Sequence, residues 1–307
     1  MTTAFISHPD CARHEMGAGH PECPARLTAI SDQLIASGLD VFLRHYQAPL
    51  ATRLQLSRVH DEEFIESIFQ LVPNDDTLVR IDPDTAMNAH TLTAALRAAG
   101  AVVQAVDLVM GAEVSNAFCN VRPPGHHAEH NRAMGFCFFN NVAIGVAHAL
   151  ETWGLQRVAI VDFDVHHGNG TEDIFKDQPR VMLCSTFQHP FYPYSDASGN
   201  NDHIINVPLP SGTTGHEFRC AVQSHWLQPL AKFKPQLILV SAGFDGHEED
   251  ALANFHLTEN DYTWVTKEIK TIAEEHANGR IVSVLEGGYN LSALGRSVAA
   301  HIKVLVG

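Results

Sequence analysis

Val158-Ala159-Ile160-Val161-Asp162-Phe163-Asp164-Val165-His166-His167-Gly168-Asn169-Gly170 joins an aliphatic run to a cluster of acids and imidazoles. Four consecutive aliphatic residues suit a strand buried on both faces, as in a parallel sheet covered by helices above and below. The polar cluster then falls at the carboxyl end of that strand, where open α/β sheets bind ligands. Side chains two residues apart on extended chain face the same way. Asp164 and His166 can therefore converge on one ion, with Asp162 one step deeper. A blander reading also fits Asp-x-His at a strand end, in which the side chains only cap the helix that follows.

Working outward, strands and helices alternate with short connections, the pattern of βαβ units and a parallel sheet. Strands are expected over residues 3–7, 117–121, 157–163, 181–186, 203–207, 237–242 and 281–285. Helices are expected over 140–153, 170–175, 214–231, 258–276 and 290–306. Earlier in the chain, Pro24 lies in the first turn of a helix that ends near Gly38, and Asp61 caps a second helix with apolar residues at helical spacing. Residues 74–84 read as an acidic loop, and an Ala-rich helix follows over 88–110. The longest irregular stretch, 188–202, contains Pro190-Phe191-Tyr192-Pro193-Tyr194. The fold class is α/β, a central, mostly parallel sheet with helices on both faces, in one domain over residues 1–307.

The 307 residues are 45% hydrophobic and 18% charged, ordinary globular values, with a formal net charge of −15. That sign opposes nucleic-acid backbones and favours cationic ligands. No secretory signal is visible at the amino terminus. The most apolar helix is interrupted by Arg97, Gln104 and Asp107, which argues against a membrane span. Six cysteines without CxxC pairing read as reduced thiols, and the cytoplasm is the expected compartment. Oligomeric state is open, a homodimer included.

Four strand ends carry chemistry-bearing residues. Arg122-Pro123-Pro124-Gly125-His126-His127 follows one, Asp162 to Gly170 the second, Gly243-Phe244-Asp245 the third and Glu286-Gly287-Gly288-Tyr289 the fourth. Asp164, His166 and Asp245 form an Asp2His set that leaves a coordination position open, as catalytic zinc requires. Asp162 and Asn169 are candidate orienters of His126 and His127. An acid raises its histidine's proton affinity and an amide does not, so the two imidazoles take different roles. Tyr289 is a candidate hydrogen-bond donor to a developing oxyanion. Together these parts describe metal-assisted amide hydrolysis.

These motifs, with His20-Pro21-Glu22-Cys23-Pro24 and Gly135-Phe136-Cys137-Phe138-Phe139-Asn140-Asn141, resemble the zinc-dependent histone deacetylase superfamily, which includes bacterial acetylpolyamine amidohydrolases. The resemblance covers nearly the whole chain. It implies an arginase/deacetylase-like fold, one Zn²⁺ on Asp164, His166 and Asp245, and His127 as general base and later acid. It further implies that His126, paired with Asp162, stabilises the transition state, while Tyr289 binds the substrate carbonyl. A substrate tunnel is implied at Gly135, Phe136, Tyr192 and Gly287. A structural K⁺ is implied near Asp162, Asp164, His166, Ser185 and Thr186. His203 stands where an aromatic would help hold a second monovalent ion. Asn169, where many members carry Asp, looks like the class II pattern.

The expected substrate is a small acetylated polyamine, with acetyl-lysine in proteins close behind. Neither a nucleic acid nor a membrane is expected as partner. Glu15, Asp75, Asp76, Asp82 and Asp84 lie in loops that can reach the rim of the site and attract a cation. An arginase-type ureohydrolase is the nearest different enzyme, but it needs a second metal and an Asp-x-Asp where this chain has Asp245-Gly246-His247. A silent acetyl-amine binding protein is the non-enzymatic alternative.

Overall fold

A computed structural model describes residues 2–75, 77–195 and 199–307. Its strands are β1 (Thr3–Ser7), β2 (Leu43–Gln47), β3 (Val79–Arg80), β4 (Ala86–Met87), β5 (Asn116–Cys119), β6 (Val158–Asp162), β7 (Val181–Gln188), β8 (Ile204–Leu209), β9 (Leu237–Ala242) and β10 (Ile281–Leu285). Eight of these form one sheet in the order β2-β1-β5-β10-β9-β6-β7-β8. Every pairing in it is parallel, one step stricter than the mostly parallel sheet expected. The four central strands, β5, β10, β9 and β6, are buried at every position, which explains their unbroken apolar runs.

The helices are α1 (Ala25–Ala36), α2 (Arg53–Leu56), α3 (Glu62–Gln70), α4 (Thr91–Met110), α5 (Asn141–Thr152), α6 (Asn169–Phe175), α7 (Gly215–His225), α8 (Leu227–Phe233), α9 (Glu259–His276) and α10 (Leu291–Val306). On one face α4 packs over β1, β5 and β10, and α5 over β6 and β9. On the other, α9 lies against β9 and α10, and α10 against α1. By length and composition α4 could cross a membrane, yet 67% of its apolar window is buried inside the protein, so it serves as a core helix. Its small residues let it approach the sheet closely.

Three departures from the sequence reading have local causes. Edge strand β2, Leu-Arg-His-Tyr-Gln, pairs only with β1 and is largely exposed, so it carries no apolar run to announce it. The acidic loop ends in a two-residue hairpin of β3 and β4, too short for a period. The helix expected over 214–231 breaks at Trp226, which is fully buried. Pro229, three residues on, has no N–H and sits in the first turn of α8, where none is needed.

Candidate active site

The order β5-β10-β9-β6 brings the four suspect strand ends side by side at one edge of the sheet. Cys119 pairs with Val284, Val284 with Ser241, and Ser241 with Asp162, so the loops leave the sheet at a common level. Asp164, His166 and Asp245 meet there, with one ligand atom of each lying within 4.8 Å of the others. His166 Nδ1 is 3.1 Å from Asp164 Oδ1 and 3.0 Å from Asp245 Oδ2.

The electrostatics of this trio suit a cation. Burial disfavours charge on His166, yet its hydrogen bonds to the two carboxylates raise it to about 10. Burial and the neighbouring Asp164 raise Asp245 to about 6. Two buried carboxylates facing one imidazole call for a positive charge among them. A divalent ion supplies it when it binds an Asp2His set, so the residues fit one. Gly287, expected as a tunnel residue, lies against the carboxylates of this trio. Its N–H donates to Asp164 Oδ2 at 2.8 Å, and a Cβ there would lie 2.0 Å from Asp245 Oδ2.

His126 and His127 lie above the trio with ring centroids 4.0 Å apart. His126 Nδ1 is 3.0 Å from Asp162 Oδ2, and His127 Nδ1 is 2.8 Å from Asn169 Oδ1. Burial opposes a charge on both. On His126 the carboxylates Asp164 and Asp162 overcome it and raise the group to about 10. On His127 burial is reinforced by the charges of His126 and His166, which hold it well below its ordinary value. The Asn169 amide is oriented from its other side, because Nδ2 donates to Glu129 Oε1 at 2.8 Å. Its Oδ1 therefore faces His127 Nδ1–H, leaving His127 Nε2 free to accept a proton.

A passage of about 390 Å³ leads outward from these residues. His127, His166 and Tyr289 line its inner end, Gly135, Phe136, Phe191 and Tyr192 its walls, and His20, Pro21, Asp84, Tyr194 and Leu252 its mouth. At Gly135, φ is +58° and a Cβ would lie 2.5 Å from the His127 ring, so no side chain fits. The Tyr289 phenol stays protonated, its value raised by burial and by Asp245.

The predicted rim acids divide. Asp84 lines the mouth, and Asp82 lies in an adjoining groove. Glu15 and Asp75 do not reach the passage. They line a separate depression with Arg13 and His90. Asp76 is outside the described residues.

Several residues were given no supporting role in the sequence reading, Glu22 and Glu286 being named there only within motifs. Glu286, fully buried and raised to about 7 by burial, accepts from the Gly125 and His126 N–H groups at 2.7 and 3.1 Å, fixing the turn that carries both histidines. Arg26 donates to the Gly288 and Glu286 carbonyls and lies 4.9 Å from the Tyr289 ring centroid. Asp250 Oδ2 accepts from the Tyr289 and Asn290 N–H groups at 2.6 and 3.0 Å. Glu22 pairs with both Arg26 and Arg122, all three fully buried. A buried arginine pair demands a buried acid, and the Glu22-x-x-x-Arg26 spacing was the one visible signal. Asp250 had none, since its partners lie about forty residues on.

Comparison with known proteins agrees with this geometry. The model of the histone deacetylase domain matches residues 20–305. The chain belongs to the histone deacetylase family. A probable deacetylase of Archaeoglobus fulgidus is 37% identical, over 95% of this chain and 82% of its own length. The mouse polyamine deacetylase HDAC10 is also 37% identical over the whole chain, which spans about half (48%) of HDAC10. The crystal structure of the HDA15 HD domain superposes with a TM-score of 0.93 at 33% identity, covering 100% of this chain and 88% of that one. The all-parallel sheet is thus the arginase/deacetylase-like one, and the protein is a hydrolytic deacetylase of this family.

Proposed function

We propose that this chain is a zinc-dependent deacetylase of N-acetylated primary amines. The observation that carries the reading is the adjacent pair His126 and His127, held at opposite charge states beside the Asp164, His166 and Asp245 trio. Zn²⁺ on that trio would supply Lewis acidity to the amide carbonyl and to the attacking water. His127 takes the water's proton at Nε2 and returns it to the departing amine nitrogen. His126, kept cationic by Asp162, stabilises the negative charge developing on the carbonyl oxygen. The Tyr289 phenol donates a hydrogen bond to the same oxygen.

A structural K⁺ among Asp162, Asp164, His166, Ser185 and Thr186 belongs to the same reading. Ser185 sits opposite Asp162 in the sheet, and the Ser185 and Thr186 hydroxyls are buried with no hydrogen-bond partner. At His203 the imidazole Nδ1 already lies 3.1 Å from the Val181 carbonyl oxygen, and we assign no second ion there. Six free cysteines fit a reducing, cytoplasmic compartment.

Acetylated polyamines are one finer reading, supported by Asp82 and Asp84, which make no ion pair among the described residues and lie at or beside the mouth. Acetyl-lysine in peptides is the other, supported by a passage lined by Phe136, Phe191, Tyr192, Tyr194 and Tyr289, with Asp84 the one acid lining it among the described residues. The test is acetate release from acetylputrescine, acetylcadaverine and an acetyl-lysine peptide, before and after chelation. The expected result is release that stops on chelation and returns with Zn²⁺. Release indifferent to chelator, or two tightly bound Mn²⁺ with turnover of guanidino compounds, would overturn the reading.

A further inference from the structure

Beside the mouth lies a second cavity of about 420 Å³, distinct from the catalytic passage yet continuous with it through Asp84 and Tyr192, which line both. Its floor is apolar. Phe64 and Ile68 come from the inner side of α3, and Met134 from the loop that leads into Gly135. Leu71, just past the end of α3, remains 39% exposed, so apolar surface is left open to a ligand. The dividing wall is the turn at residues 82–85, tied to the passage by Phe136 N–H donating to Thr85 Oγ1 at 3.0 Å. Arg132 on the rim is engaged by Glu129 at 2.9 Å, while Asp82 and Asp84 have no such partner among the described residues, so the free charge there is negative.

We infer that this groove is a subsite for a bulky apolar side chain next to the acetylated lysine of a peptide. The inference rests on the deacetylase reading and chooses between its two substrate classes. A lysine side chain in the passage leaves the peptide backbone at the mouth, and a neighbouring side chain then falls within reach of the groove. Burying a leucine or phenylalanine there removes its apolar surface from water. A free polyamine has no apolar branch to place in the groove and gains nothing from it.

The experiment compares acetyl-lysine peptides carrying Leu, Phe or Gly on either side of the modified lysine, alongside acetylputrescine and a minimal acetyl-lysine amide. Wild-type enzyme is expected to show kcat/KM about tenfold higher for a Leu or Phe peptide than for the Gly peptide, chiefly through KM. Ser67→Trp, which fills the groove from the exposed side of α3, is expected to bring that ratio near one. Leu71→Ala is expected to reduce it by a smaller factor. Both variants should cleave the minimal amide as wild type does. A wild-type ratio near one, a ratio that survives Ser67→Trp, or acetylputrescine cleaved faster than every peptide would overturn the inference. Failure to cleave any of these substrates, acetylputrescine included, would defeat the deacetylase reading itself, and the groove assignment with it.

Discussion

The floor of the site and its mouth are built in different ways. At the floor, Asp162, Asp164, Asp245 and Glu286 are essentially inaccessible and stand on strand ends held in register by the sheet. Each charge there has a named partner, and the balance among them sets the proton positions. At the mouth, Asp84 and Tyr194 are exposed, the latter by 79%, on loops and a two-residue hairpin. Charges there are screened by water and salt. The comparison teaches that the chemistry is over-determined by packing while recognition is left to a few adaptable side chains. Substitutions at the floor should therefore act on kcat or on folding, and substitutions at the mouth on KM.

The sharpest way to break this division is His127→Ala, expected to lower kcat by on the order of 10²–10⁴ with little change in KM. Steady-state kinetics on the acetyl-lysine peptide check it, with Tyr289→Phe expected to fall less far. A variant that kept wild-type kcat would remove the assigned base.

Glu22→Gln probes the floor's foundation. It leaves Arg26 and Arg122 without their carboxylate in a dry interior, an expected loss of about 3–5 kcal/mol in stability read from urea denaturation. Burial disfavours the Glu22 carboxylate, but Arg122, His14 and Arg26 outweigh it and hold it well below its ordinary value. A depressed acid contributes stability that is present above its unfolded value and lost as pH falls through the folded one. Wild type should accordingly lose stability on acidification in a step that Glu22→Gln lacks. Equal stability of the two proteins at pH 7 would contradict the buried pairing.

Asn169→Asp sharpens the contrast between the two histidines. A carboxylate beside Nδ1–H raises the proton affinity of His127. Since the neutral form is the active one, the acid limb of the pH–rate profile should move to higher pH, with more activity lost at pH 6 than at pH 8. An unshifted limb would separate His127 from that titration. The smallest effect is expected at the mouth. Asp84→Asn should raise KM for a cationic substrate a few-fold at low ionic strength, with kcat unchanged, and the difference should shrink as salt is added.

Much of the floor was legible in the sequence because its residues sit at the ends of unbroken apolar runs, and a parallel sheet gathers such ends at one edge. Asp164, His166 and Asp245 come from strands adjacent in the sheet, so their meeting follows from topology. Glu15 and Asp75 show where that logic stops. Their loops obey no period, and charge alone did not say which depression they would line. Edge strand β2 was missed for a related reason, since a half-exposed strand need not be apolar.

The sequence by itself determined the class of fold, the residue types that meet at the strand ends and the chemistry they allow, because burial on both faces writes itself into consecutive aliphatic residues. Tertiary structure alone decided what supports and what surrounds that chemistry. Asp250 and Arg26 reach the Gly-Gly-Tyr turn from about forty and about 260 positions away, and the groove beside Tyr192 is assembled from α3, a hairpin and a loop. Such contacts are set by how elements pack, and no local pattern in the chain encodes them.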